Sequence, residues 1–187
     1  MPPPELWCFR PVRQTLKNAQ DMTPNINFVF RSSQRDRFRS GELVREWRER
    51  HPQLFDERDE QVLRTAHQRR YNFYEWLAAV LMFESMGYLS LITKYTAKSH
   101  PSKHGVVRSC LPAAIADWVF ENESGQPDLF VYSVSHQDWY FCEVKGPGDR
   151  VRTNQETWRK GFLKLVAEQK CDDQTRYRMF TIEEIDC

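Results

Sequence analysis

No CxxC pair occurs among the five cysteines of this chain, Cys8, Cys110, Cys142, Cys171 and Cys187, and their number is odd. That argues against a disulfide framework and for reduced thiols in a cytosolic compartment. Long apolar runs are missing too: the longest, Trp76 to Phe83, falls far short of the roughly 20 residues that cross a bilayer. The opening residues MPPPELW lack the basic start and apolar stretch of a secretory leader. An intracellular, soluble protein with no membrane partner is expected. Charge of one sign is scarce as well, because 27 basic and 26 acidic residues leave a net charge of +1. Bulk charge therefore points to no polyanion, and any affinity for nucleic acid has to come from local placement of Arg and Lys. Regular periodicity is absent at the start, where Pro2, Pro3, Pro4, Pro11 and Pro24 suit an extended lead-in to about residue 30.

What is present is enough for one hydrophobic core without disulfide or structural metal. Residues 31–70 are dense in charge and read as two short helices, roughly 40–50 and 57–69. The arginines there, Arg31, Arg35, Arg37 and Arg39 among them, fit either a solvated face of mixed ion pairs or an arm on phosphates. YNFYEWLAAVLMFESMGY is the strongest helix, so apolar that burial on most sides is expected. Asn72 and Glu75 have the spacing of a capping box, and Gly87 ends the helix. Residues 88–92 read as a strand, 94–108 as a polar, basic loop, and 111–121 as ambiguous between helix and strand. Residues 128–132 and 139–145 then read as strands close enough to pair as a hairpin. A helix follows from a cap at Thr153, with Glu156 completing a box, to about Ala167, and residues 177–182 form a last strand. The order predicts an α/β fold with a small mixed sheet flanked by helices. We expect 1–70 to form an N-terminal helical extension and 71–187 the domain proper.

The chemistry sits in GQPDLFVY followed by WYFCEVKGPGDR. Side chains alternate along a strand, so Glu143 and Lys145 share one face while Cys142 and Val144 take the other. A carboxylate and an ammonium on a strand that otherwise looks buried need compensation. Asp128, behind Pro127, starts the partner strand and reaches the same point. Two converging carboxylates repel each other unless a cation lies between them, and hard oxygen ligands favour Mg²⁺ or Mn²⁺ over Zn²⁺. Such an ion polarises a phosphodiester and lowers the pKa of bound water, while Lys145 could orient that water or offset phosphate charge.

PD followed by EVK resembles the PD-(D/E)xK nuclease superfamily. The longer string, GQPDLF then EVKGPGDRVRTNQETW, is similar to the virus-type replication-repair nuclease (VRR-NUC) domain found in Fanconi-associated nucleases and in small phage and bacterial proteins. The resemblance is strong over about 125–160 and loose over 72–92, and it departs at Arg152, where the family often has Ser. It implies a restriction-endonuclease-like core, with Asp128, Glu143 and the Val144 carbonyl as metal ligands and Lys145 as the catalytic lysine. Gln155 would stand beside the site. The superfamily usually adds an acid from the first core helix. Glu75 and Glu84 are both candidates, and both cannot face the site because they lie about half a turn apart around the axis. Glu75 is the favoured one, although a capping box would explain it equally.

Arg150, Arg152, Lys160 and Lys164 are the best candidates for phosphate contacts, followed by Lys103 and His104 in the basic loop. A zinc cluster of His100, His104 and Cys110 lacks a fourth ligand. Trp139, Tyr140 and Trp158 could stack on bases, but core packing is the better default. The expected function is a Mg²⁺- or Mn²⁺-dependent DNA endonuclease, structure-specific for Holliday junctions or flaps in repair, recombination or phage replication. Two alternatives remain: a restriction or defence nuclease on ordinary duplex, and a silent DNA-binding or partner-docking module on the same fold. Symmetric junction resolution would call for a homodimer, and residues 1–70 could dock a protein partner.

Overall fold

A computed structural model describes residues 25–65, 69, 71–92, 94–171 and 176–185. Five strands form one sheet: β1 (Asn25–Arg31), β2 (Leu89–Ile92), β3 (Leu129–Tyr132), β4 (Trp139–Lys145) and β5 (Tyr177–Ile185), in the order β1-β5-β4-β3-β2. The pairs β1–β5 and β5–β4 are parallel, and β4–β3 and β3–β2 are antiparallel. The helices are α1 (Ser32–Ser40), α2 (Glu42–Arg50), α3 (Glu57–Arg64), α4 (Phe73–Met86), α5 (Pro101–Cys110), α6 (Ala113–Glu121) and α7 (Thr153–Glu168). The expected α/β class, a small mixed sheet flanked by helices, is what the chain adopts.

Both faces of the sheet are covered, which is why β3 and β4 are buried along their whole length. Alternation sorts their side chains. Leu129, Val131, Tyr140, Cys142 and Val144 meet α4 together with Phe38, Trp47 and Leu63 from α1–α3. Phe130, Tyr132, Trp139 and Phe141 meet Val107, Ile115, Trp158 and Phe162 from α5–α7. Helix α4 is buried from Trp76 to Met82, as its composition requires. It ends at Gly87 in the left-handed conformation (φ 72°), where the lack of a Cβ removes the penalty.

Several local expectations need correction. Within the expected lead-in, 25–31 is a strand, because NINFVFR alternates and Phe28 stacks on Phe180 of β5; residues 1–24 lie outside the described residues. The charged segment gains α1, ended by left-handed Gly41 (φ 86°), and its last helix stops at Arg64. The basic "loop" contains α5, opened by Pro101 at its first position and anchored by Val107 and Cys110. Residues 113–121 are helical, with Ile115, Ala116 and Val119 inward. Asn72 enters α4 in the left-handed conformation (φ 60°) with no side-chain cap bond, so the proposed box with Glu75 does not form. Helix α7 is capped one residue earlier than expected: Gln155 Oε1 accepts from Arg152 N (2.9 Å), and Glu156 instead pairs with Arg159.

Candidate active site

The site is built where β4 outruns β3. Leu129 pairs with Cys142, so Asp128 stands opposite Glu143 and on the same face. With β3 ended, the Val144 N–H donates to Asp128 Oδ2 (2.9 Å) instead of to a strand carbonyl. The segment before Asp128 is fixed at each residue. Gln126 Nε2 donates to Val119 O (2.6 Å) at the end of α6, and its Oε1 accepts from Thr96 Oγ1 (2.9 Å). The Tyr95 hydroxyl donates to Pro127 O (2.9 Å). Gly125, at φ 83°, packs so tightly on the first turn of α7 that a Cβ there would run into the Asn154 carbonyl. One residue on from that contact is Gln155.

Gln155 joins the two charged groups of β4. Its Nε2 donates to Glu143 Oε1 (2.5 Å) and its Oε1 accepts from Lys145 Nζ (3.1 Å). Lys145 Nζ lies 2.7 Å from the same Glu143 oxygen. Glu143 is wholly buried, and its other oxygen, Oε2, is buried with no donor. The Asp128 and Glu143 carboxyls are close enough for one proton to bridge them. Burial first, and the Asp128 charge second, push Glu143 up to about 8 against the pull of Lys145. Asp128 is also raised by burial, with the Val144 N–H opposing, and the bridging proton favours Glu143.

Glu75 joins them from the first turn of α4. Burial, then the charges of Asp128 and Asp149, push it up to about 7. Glu84 goes elsewhere: its Oε1 accepts from His51 Nε2 (2.8 Å) and Arg50 Nη2 (3.1 Å), which neutralises a carboxylate that the apolar face could not hold alone. Of the two helix acids, Glu75 is therefore the one beside Asp128. Sequence reasoning missed Asp149, whose carboxylate accepts from Gly146 N (3.1 Å) and closes the GPGD turn. A G-P-G-D string directly after the active strand was its available signal. Tyr74 was missed as well. Its ring occupies the space that a Gly146 side chain would need, 2.6 Å from an ideal Cβ, and its hydroxyl accepts from Arg35 (3.3 Å).

The phosphate candidates divide. Arg150 and Arg152 are exposed beyond β4, and Lys160 and Lys164 are exposed on α7 beside Glu156 (3.5 Å) and Glu168 (3.9 Å). Lys103 requires correction: it is buried (2% exposed), paired with Asp59 (2.8 Å) and bonded to Ile92 O (3.1 Å), so no phosphate can reach it. His104 turns inward, with Nε2 on Thr96 O (2.7 Å) and its ring against Phe120. Cys110 is in the core, and among the described residues no three His, Cys, Asp or Glu side chains already converge as a metal cluster, the Glu75, Asp128 and Glu143 carboxyls included. Trp139, Tyr140 and Trp158 are core residues. Cys110, Cys142 and Cys171 are free thiols, and among the described residues no helix is long and apolar enough to cross a membrane.

No curated protein matches the chain. The crystal structure of paFAN1 bound to 5′-flap DNA with a gap is 27% identical over a match covering 43% of this chain and 15% of that one, with a TM-score of 0.32. The chain thus spans a small part of that protein's length. The model of the VRR-NUC domain matches residues 60–165, a span that includes Glu75, Asp128, Glu143, Lys145 and Gln155. That span is more than half of the chain, and the protein belongs to the VRR-NUC domain family of nucleases.

Proposed function

We propose that this chain is a divalent-metal-dependent endonuclease that hydrolyses DNA phosphodiester bonds. Asp128 and Glu143 would hold Mg²⁺ or Mn²⁺, with Glu75 and the Val144 carbonyl completing the oxygen set. The observation that carries this reading is the buried Glu143 Oε2, which has no donor while a second carboxylate stands against it. A group so placed requires a proton or a cation. Hard oxygen donors with one lysine alongside suit the second option, so the residues present fit the ion. When bound, such an ion supplies charge stabilisation at the phosphate and an activated water.

The chain's own residues do the rest. Gln155 fixes the Glu143 oxygen and the Lys145 ammonium relative to each other, so both stay in register when substrate enters. Lys145 has a polar side of its ammonium to give to the attacking water or to a phosphoryl oxygen. Arg150 and Arg152, with Lys160 and Lys164, would grip the flanking phosphates. We propose branched DNA, a Holliday junction or flap, as the substrate, and a homodimer where a junction is cut symmetrically. We further propose that 71–187 carries the chemistry and that residues 1–70 serve to dock a protein partner.

The test is cleavage of junction, flap and linear duplex DNA of one sequence, with Mg²⁺, with Mn²⁺ and with EDTA. Cleavage with either metal, absent in EDTA and strongest on a branched form, is expected. Equal cutting of linear duplex would instead favour a restriction-type enzyme. DNA binding without cleavage under any metal would mark a silent module.

A further inference from the structure

Beside the carboxylate pair the surface opens into a cleft of about 220 Å³. The loop after β2 gives one wall, with Lys94 and Thr96, and the segment leading into β3 gives the other, with Glu123, Gln126 and Asp128. Asp128 thus belongs both to the cleft and to the carboxylate pair. The floor is rigid, since Thr96 is bonded to Gln126 and Tyr95 to the Pro127 carbonyl across it. Over this floor stands Lys94, in the left-handed backbone conformation (φ 52°) that a residue with a Cβ adopts only at a cost. A turn closed by Ala97 N on Lys94 O (3.0 Å) holds it there. Lysine, unlike Asn or Asp, offers no short side-chain bond to repay that conformation.

Lys103, Lys145, Lys160 and Lys164 each have an acid within 4 Å, whereas exposed Lys94, Lys98 and Lys170 make no ion pair among the described residues, and of these three it is Lys94 that lines the cleft. Glu123, the acid on the far wall, is itself exposed. An exposed lysine with no ion pair, held in a left-handed backbone on a rigid loop next to Asp128, is a place for a ligand's negative charge.

We propose that this cleft takes the nucleotide adjoining the bond that is cut, with Lys94 on its phosphate. The assignment rests on the nuclease reading and extends it to the path of the strand. The test measures binding of the preferred branched DNA by fluorescence anisotropy from 50 to 200 mM salt, in Glu143→Gln protein so that DNA stays intact. Removing one phosphate contact lowers the slope of log K against log salt by about 0.9. Lys94→Ala is expected to show that drop, with binding several-fold weaker at low salt, and Lys94→Gly, which relaxes the backbone, is expected to match it. Lys94→Arg is expected to keep the parent slope. DNA bound with an unchanged slope in Lys94→Ala overturns the assignment of Lys94 while leaving the nuclease reading in place. Failure of the parent protein to bind any DNA overturns both.

Discussion

Two buried lysines in this fold meet carboxylates at nearly the same distance, and only one of them stands in a site. Lys103 lies 2.8 Å from Asp59, and Lys145 lies 2.7 Å from Glu143. The Lys103 pair is closed: one positive charge, one negative, and the Ile92 carbonyl accepting a further hydrogen bond from the ammonium. The Lys145 pair is open: the Asp128 carboxyl stands against it, Glu75 lies near Asp128, and one Glu143 oxygen is buried without a donor. The first arrangement ties α3 and α5 to the edge of the sheet. The second gathers more carboxyls than its one lysine can pair, and holds them by raising their affinity for protons, which folding alone gives no reason to keep. The surplus of carboxyls, rather than burial or pairing, distinguishes a site from a strut.

The sharpest way to break that comparison is to mutate each pair. Asp128→Ala or Glu143→Ala is expected to lower cleavage by at least about 10³-fold with the fold retained, since each would remove a ligand of the proposed metal ion. Lys103→Met is expected to do the opposite: cleavage per folded molecule stays, while the melting temperature falls by roughly 10 °C as Asp59 loses its partner. Circular-dichroism melting alongside gel-based cleavage separates the two outcomes. Loss of activity without loss of stability in Lys103→Met would erase the distinction.

A smaller effect is expected at Gln155, which touches both Glu143 and Lys145 without adding charge. Gln155→Ala should reduce activity about 10- to 100-fold, the usual scale for a group that orients ligands. Part of that loss should be recovered at higher Mn²⁺, as a titration of rate against metal would show.

The smallest expected effect is on stability against pH. Glu143 at about 8 and Glu75 at about 7 have folded values above their unfolded ones. Between about pH 4.5 and 8 the folded state therefore holds more protons than the unfolded state, and stability falls as pH rises through that window. In EDTA, the protein should melt at least about 3 °C lower at pH 8 than at pH 5.5 relative to Glu143→Gln, which lacks one of the titrating acids. Parallel pH curves for the two proteins would show that Glu143 is not held protonated by its surroundings.

How much of this was legible beforehand follows the same divide between local and distant partners. The hairpin of β3 and β4 and the shared face of Glu143 and Lys145 follow from period-2 alternation, and Asp128 follows from its place one residue before Leu129. The mixed sheet and α4 were legible from patterns confined to one segment. Lys103 was misread because its acid lies 44 positions away on another helix, a distance that no local pattern reports. Strand β1 was hidden among prolines, since its pairing partner is the far end of the chain. Glu75 fitted a capping box on spacing alone, and only the left-handed backbone at Asn72 removes that explanation. Gln126, Tyr95 and Gly125 position Asp128 through contacts with α6, the β2 loop and α7. Their roles exist only once those elements are assembled.

Calorimetric titration of Mn²⁺ into the protein at neutral pH bears most directly on the surplus of carboxyls. Wild-type protein and Lys103→Met are expected to bind the ion with release of protons, and Asp128→Asn and Glu143→Gln are expected to lose most of that binding. Absence of Mn²⁺ binding by the wild-type chain, or equal binding by all four proteins, would contradict the assignment of these carboxylates to a metal.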